Sequence, residues 1–193
     1  MNRLRYYVIS IIVCVCLNGC IYTQMTHLSD EEIEWINVYD NGEYVLFVSN
    51  VGNTDTLSIK EVMLFNSRNP FYFSEAGGSM YRANGGYRFI LNHNMEKFQG
   101  LAFFEKELDD SLYFRLTLGK SSLKYPMNTC DKEILVMDST NIAYSEYGYD
   151  IPNKVKEGVW SKEYGLIYYR FEDGEEFFRQ DLLPDSIQMK NRP

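Results

Sequence analysis

Three of the four cysteines lie within seven residues of one another, and thiols placed so closely need a chemical explanation. Cys14 and Cys16 lie within an apolar block of ten residues, 8–17, and Cys20 follows the block. Two arginines precede the block. A membrane-spanning helix needs about 20 apolar residues, so the block is too short to cross a bilayer. Its length and its positive start predict the hydrophobic part of a cleaved signal peptide.

The sequence LNGC, which ends at Cys20, resembles the lipobox of bacterial lipoproteins. Asn18 departs from the alanine, serine or threonine that is usual at its position. The resemblance implies that residues 1–19 are a signal peptide, that Cys14 and Cys16 are removed with it, and that Cys20 is lipidated and becomes the mature N-terminus. The alternative is an ordinary secretory signal followed by a coincidental cysteine.

The fourth cysteine, Cys130, has no partner for an intramolecular disulfide once the signal peptide is removed. We expect a small, partly buried side chain that is chemically inert, because the sequence shows no base beside it. There is no CxxC pair, and His27 and His93 are far apart in the sequence. The sequence therefore predicts neither a metal site nor a bound cofactor.

The charge balance narrows the range of partners. Without the two arginines of the signal peptide, the net charge of −8 becomes −10. This excess of acidic residues argues against nucleic-acid binding and against electrostatic attraction to anionic lipid. We expect contact with the membrane through the N-terminal lipid alone. Ile21 stands where many inner-membrane lipoproteins carry aspartate, so the resemblance implies the outer membrane of the cell envelope.

Residues 20–28 have no clear periodicity and predict a flexible tether after the lipidated cysteine. The next segment begins with Ser29 and has Glu32 three residues later, which is the pattern of a helix capping box. Acidic residues at the same place suit the start of a helix. We expect one short helix between Ser29 and Asp40.

From residue 43 onward the sequence is typical of β-structure. Leucine or phenylalanine occupies every second position of 112–118, the period of a half-buried strand. We predict turns at Asn84-Gly85-Gly86, at Asp109-Asp110 and at Asp173-Gly174. Seven or eight short strands indicate a mainly β domain over 29–181, either an antiparallel sandwich or a curved, barrel-like sheet. Residues 182–193 are predicted to be a frayed tail.

The stretch VWSKEYGLIYYRFEDGEEFF, residues 159–178, resembles the C-terminal part of small uncharacterised lipoproteins of gut Bacteroidetes. The resemblance implies a lineage and a location but no activity. Exposed Trp160, Tyr168 and Tyr169 would make a platform on which sugar rings stack. The alternative is that these aromatic residues fill the core. In that case we expect the Trp160 indole to pack against the base of the hairpin and to donate its N–H to a backbone carbonyl.

Motifs of known enzyme classes are absent from the sequence: it has no GxSxG, HExxH, P-loop or GxGxxG pattern. A pair of carboxylates could act as in a glycosidase, but no such pair can be identified from the sequence. We therefore predict a lipid-anchored envelope domain that serves as a binding or structural module for an envelope protein or a glycan, in preference to an enzyme. A small envelope hydrolase with a carboxylate pair is the alternative.

Overall fold

Antiparallel strands make up most of the fold in the computed structural model, which describes residues 24–68, 80–118, 121–127, 133–138, 142–144 and 154–184. Cys20 and Cys130 lie outside the described residues. The strands are β1 Gln24–Met25, β2 Tyr44–Ser49, β3 Thr54–Phe65, β4 Met80–Tyr81, β5 Asn84–His93, β6 Glu96–Lys106, β7 Leu112–Leu118, β8 Ser121–Met127, β9 Ile134–Met137, β10 Ile142–Tyr144, β11 Val155–Ser161, β12 Gly165–Phe171 and β13 Glu176–Arg179. The helices are α1, Asp30–Glu34, and a 3-10 turn, Gln180–Leu182.

Eleven of these strands form one sheet in the order β10-β8-β7-β6-β5-β3-β2-β13-β12-β11-β9. Every pairing in it is antiparallel. The sheet curls until β8 contacts β9 and β11. A Cβ atom added to Gly158 of β11 would lie 3.1 Å from Leu116 and 3.3 Å from Leu123, which belong to β7 and β8. The two ends of the sheet thus pack together through the interior. The prediction of a mainly β, barrel-like fold is confirmed.

Strand β7 shows how the sequence pattern produces the two faces of the barrel. Leu112, Phe114, Leu116 and Leu118 are buried, and the residues between them are half-buried or exposed. Successive side chains on a strand point to opposite sides, so a period of two places every leucine and phenylalanine inside. The predicted turn at Asp109-Asp110 joins β6 to β7, and Asp110 has a φ of 70° there.

One predicted turn is wrong. Asn84, Gly85 and Gly86 lie inside β5 and pair with β3 and β6. A Cβ atom on Gly86 would lie 2.0 Å from the carbonyl oxygen of Ala102, and its φ is 153°. The glycine is needed here for the close approach of neighbouring backbones, a second use of glycine in strands.

The predicted capping box is present at α1. The Ser29 backbone N–H donates to Glu32 Oε2 at 2.7 Å, and the Glu32 N–H donates to Ser29 Oγ at 3.2 Å. The helix ends at Glu34, earlier than the expected limit at Asp40. Trp35 and Ile36 follow it directly and are buried. Burial of these two side chains holds the short helix against the barrel.

The N-terminal segment closes one end of the barrel, which we call the N-terminal end. Thr26 Oγ1 donates to the carbonyl of Lys106 at 3.0 Å and accepts the Ala83 N–H at 2.9 Å. Thr26 and Leu28 are buried. Residues 24–28, predicted as part of a flexible tether, therefore pack against the domain. The opposite end of the barrel carries the β2–β3, β5–β6 and β12–β13 turns.

Candidate functional site

A β-bulge shapes the outer face of the hairpin formed by β11 and β12. Val159 pairs with Tyr168 and Trp160 pairs with Leu166, so Ile167 is an additional residue in β12. Ile167 and Tyr168 are consecutive and both half-exposed, whereas Leu166 is buried. Strict alternation would have placed Ile167 with the buried residues. The bulge changes the phase of the strand, so Ile167 lies on the outer face instead.

A groove of about 560 Å³ lies beside the bulge, between the β11–β12 hairpin, β9 and the 3-10 turn. We call this groove the outer groove. Its apolar lining comes from four side chains: Ile134, Tyr164, Ile167 and Leu182. Ile134 is 48% exposed, Leu182 40% and Tyr164 38%. Exposed apolar side chains grouped around a concave surface are typical of a binding site.

Acidic residues dominate the rim of the outer groove. Glu34, Glu133 and Glu163 line it together with Lys162, and Lys162 forms an ion pair with Glu34. The hydrogen bond between Tyr164 and Glu163 raises the pKa of the tyrosine hydroxyl. Three carboxylates against one paired lysine give the groove a negative potential, so a cationic group on the ligand would be attracted.

The position of Tyr164 at the edge of the groove is held by Arg179. The guanidinium donates a hydrogen bond to the Tyr164 carbonyl. It is also bound to both oxygens of Asp181, at 2.8 and 2.9 Å. A bidentate pair of this kind fixes the orientation of the guanidinium. The groove therefore has one edge that is already ordered.

The three residues of the predicted aromatic platform do not share a surface. Trp160 and Tyr169 are buried, with exposures of 1% and 0%, and belong to the core. Tyr168 is half-exposed on the outside, where its ring lies 5.1 Å from that of Phe178. The platform is thus reduced to Tyr168, and the main exposed aromatic ring of the outer groove is that of Tyr164.

Trp160 occupies the middle of the aromatic core. Its ring centroid lies 5.0 Å from that of Phe114 and 5.9 Å from those of Tyr39 and Tyr87. The predicted hydrogen bond is wrong, because the buried indole N–H has no hydrogen-bond partner among the described residues. Aromatic rings surround the indole and offer few acceptors, so the side chain is stabilised by packing and not by a hydrogen bond.

A buried polar cluster at the opposite end was not predicted. His93 Nδ1 lies 3.0 and 2.9 Å from the two carboxylate oxygens of Asp55. The Tyr169 hydroxyl donates to the same carboxylate at 2.5 Å. Asn94 Nδ2 is 2.9 Å from His93 Nε2. One signal was available in the sequence: Asp55 is in phase with the inward-facing Leu57 and Ile59 of β3.

Burial and the charge of Asp55 shift the pKa values of two side chains in this cluster. Burial lowers the pKa of His93, but the hydrogen bond and charge of Asp55 outweigh burial, and the net shift is upward. Burial and the charge of Asp55 raise the pKa of Tyr169 well above its usual value. The carboxylate is completely buried, and the rings of Phe171 and Phe177 lie 4.6 and 5.5 Å from the imidazole. The cluster therefore satisfies a buried charge and offers no opening for a substrate.

No family model, curated protein or solved structure matches the chain. Within the described ranges, no helix has the length and hydropathy needed to cross a membrane, and no group of histidine, cysteine and acidic side chains is arranged to hold a metal. The outer groove is therefore the strongest candidate site that the geometry provides.

Proposed function

We propose that this protein is a lipid-anchored binding module of the bacterial cell envelope, held to the outer membrane through Cys20 and binding an envelope protein in the outer groove. The observation that carries the proposal is the groove itself. It combines an ordered edge, four part-exposed apolar side chains and an acidic rim. An apolar segment with a basic residue has the matching chemistry.

A protein segment suits this groove better than a glycan does. Glycan sites commonly stack sugars on exposed aromatic rings, and burial has removed Trp160 and Tyr169 from the surface. The remaining lining is largely aliphatic, from Ile134, Ile167 and Leu182. Aliphatic side chains gain more from contact with apolar residues of a protein partner than from the hydroxyls of a sugar.

The hydrolase alternative has weaker support. The pKa of Asp181 is lowered by its hydrogen bond with Arg179, and the pKa of Asp109 is lowered by its hydrogen bond with Ser111. A general acid needs the opposite shift. The buried Asp55 carboxylate is out of reach of a substrate. A binding role therefore remains the better proposal.

The anchor is tested by Cys20→Ser. If Cys20 is the lipidated residue, the variant accumulates as unprocessed precursor and no longer incorporates a palmitate analogue. Cys130→Ala is the matched control, because we assign that thiol no lipid. Unchanged labelling of the Cys20→Ser protein would refute the anchor.

The groove is tested by a photo-crosslinking amino acid placed at Tyr164 in cells that make the protein. We expect a discrete adduct with one envelope protein, and its loss when Ile167→Asp is added, because the aspartate places a further negative charge in the apolar lining. The control position is Tyr113, a half-buried tyrosine of β7. Equal adducts from both positions, or binding of a purified polysaccharide that blocks the Tyr164 adduct, would contradict the choice of a protein partner.

A further inference from the structure

The path of the N-terminal segment determines which end of the barrel lies nearest to the anchor. Gln24 is paired with Met80 at the N-terminal end. Leu28 is held to Asn66 by two hydrogen bonds, of 2.9 and 3.0 Å. Gln24 is four positions after Cys20, with three residues between them. At the full extension of a polypeptide these four steps span about 14 Å, so a lipid on Cys20 keeps this end close to the bilayer surface.

Four large apolar side chains are exposed around the place where the chain leaves the barrel. They are Leu64 at 47%, Phe65 at 51%, Met80 at 54% and Leu108 at 37%. Phe65 ends β3, and Ser67, two residues later, donates its N–H at 2.7 Å to the hydroxyl of Tyr81, the residue after Met80. Leu108 lies in the β6–β7 turn, two residues after Lys106.

Two basic side chains at this end, Arg82 and Lys106, are each paired with carboxylates. Arg82 binds Glu107 at 3.0 Å, and its guanidinium also lies 3.7 Å from Glu105. Lys106 Nζ lies 3.0 Å from Glu32 and 3.1 Å from Asp110. Paired charges cost less to bring near a low-dielectric surface than isolated ones. The end therefore suits contact with lipid through apolar side chains, although the whole chain is acidic.

The opposite end provides a natural comparison. Val51 and Met95 are exposed there, at 70% and 103%, but they lie on two separate turns. The acidic side chains of Asp173 and Glu175 belong to the third turn at the same end. Nothing in the described residues connects that end to the anchor. Both ends of the barrel therefore have exposed apolar side chains. Only at the N-terminal end do these side chains lie beside the segment that leads to the anchor.

We propose that the N-terminal end of the barrel rests on the lipid surface, with Leu64, Phe65, Met80 and Leu108 in the interfacial region of the bilayer. This inference rests on the proposed anchor at Cys20. Interfacial binding of proteins is stabilised by buried apolar side chains in addition to a lipid chain. The contact orients the barrel, so that the turns around the Asp55–His93–Tyr169 cluster point away from the membrane.

The experiment uses the full-length lipoprotein with Cys130→Ala and one added cysteine at a time, labelled with a polarity-sensitive nitrobenzoxadiazole dye. Phe65→Cys and Leu108→Cys report on the N-terminal end. Val51→Cys and Met95→Cys are the matched controls, since both replace exposed apolar residues. The proteins are reconstituted in vesicles of phosphatidylethanolamine and phosphatidylglycerol that carry a nitroxide on the acyl chain. Flotation of the vesicles is measured first, and a thermal melt of each variant shows that the fold is retained.

We expect blue-shifted emission and strong nitroxide quenching at positions 65 and 108, and neither change at positions 51 and 95. Protein that floats with vesicles but shows water-like emission at 65 and 108 would overturn this inference and leave the anchor intact. Equal quenching at both ends would overturn it as well. Failure to float would refute the anchor and, with it, the orientation.

Discussion

The hydroxyl of Tyr169 donates a 2.5 Å hydrogen bond to the carboxylate of Asp55, and both side chains are completely buried. The bond joins β12 to β3, and their residues are 114 positions apart in the chain. Together with His93 it satisfies a carboxylate in the interior, where an unpaired charge is strongly destabilising. Strand β12 is thus held against β3 by a polar contact as well as by the packing of its aromatic side chains.

Tyr169→Phe is expected to destabilise the protein by about 1–3 kcal/mol, because it removes one donor from a buried carboxylate and keeps the ring. Denaturant unfolding measures the change. Tyr168→Phe is the matched control, on the outer side of the same strand, and surface changes of this kind are usually within about 0.5 kcal/mol. Equal effects of the two substitutions would show that the Asp55 contact contributes nothing.

The stability of the fold should depend on pH through His93. The folded-state pKa is raised by Asp55, with smaller contributions from Glu175 and Asp173, so the folded protein binds this proton more tightly than the unfolded chain does. The stabilisation is fully present below the unfolded pKa of about 6.5 and is lost as the pH rises through the folded pKa.

The measurement is a series of melting temperatures between pH 5.5 and pH 8.5 (roughly the window set by a histidine pKa near or above its usual value). His93→Gln should remove the part of the pH dependence that falls in this window. His27→Gln, at an exposed position, should leave it in place. A wild-type profile that is flat here, or that rises with pH, would contradict the assignment.

Trp160→Ala is expected to cost about 3–5 kcal/mol, the usual range for removing a large buried aromatic side chain. The indole lies at the centre of the core between Tyr39, Tyr87 and Phe114, and the cavity would have no side chain able to fill it. Chemical denaturation checks this value. Tyr164→Ala, in the outer groove, should melt close to wild type, because the Tyr164 side chain is 38% exposed. A variant of Trp160 that melts like wild type would refute the core assignment.

Alanine substitutions at two glycines allow the cost of backbone strain to be distinguished from the cost of a steric clash. Gly165 and Gly174 have φ angles of 71° and 93°, a region that side chains other than glycine seldom adopt. A Cβ atom on Gly165 would lie 2.4 Å from the Tyr39 ring, whereas one on Gly174 meets nothing within 4 Å. Gly174→Ala should therefore cost about 1 kcal/mol of strain, and Gly165→Ala clearly more. Equal losses in denaturant unfolding would show that Tyr39 can move aside.

Features that depend on residues close together in the chain could be predicted from the sequence. The capping box of Ser29 and Glu32, the alternation in β7 and the turn at Gly174, with its positive φ, were all predicted correctly. Each of these results from short-range geometry: a side chain reaching a nearby backbone group, the two-residue period of a strand, or the φ angle of one glycine. The strand content that follows from such patterns was enough to predict a mainly β fold.

Features that join distant parts of the chain could not be predicted from the sequence. The role of Gly86 depends on the backbone of Ala102, and the bulge at Ile167 depends on the register between β11 and β12. The hydrogen bonds of Asp55 and the missing partner of Trp160 depend on which strands meet across the barrel interior. Local propensity carries no information about these contacts, because they arise only when the sheet curls and brings residues far apart in sequence within hydrogen-bonding or van der Waals distance.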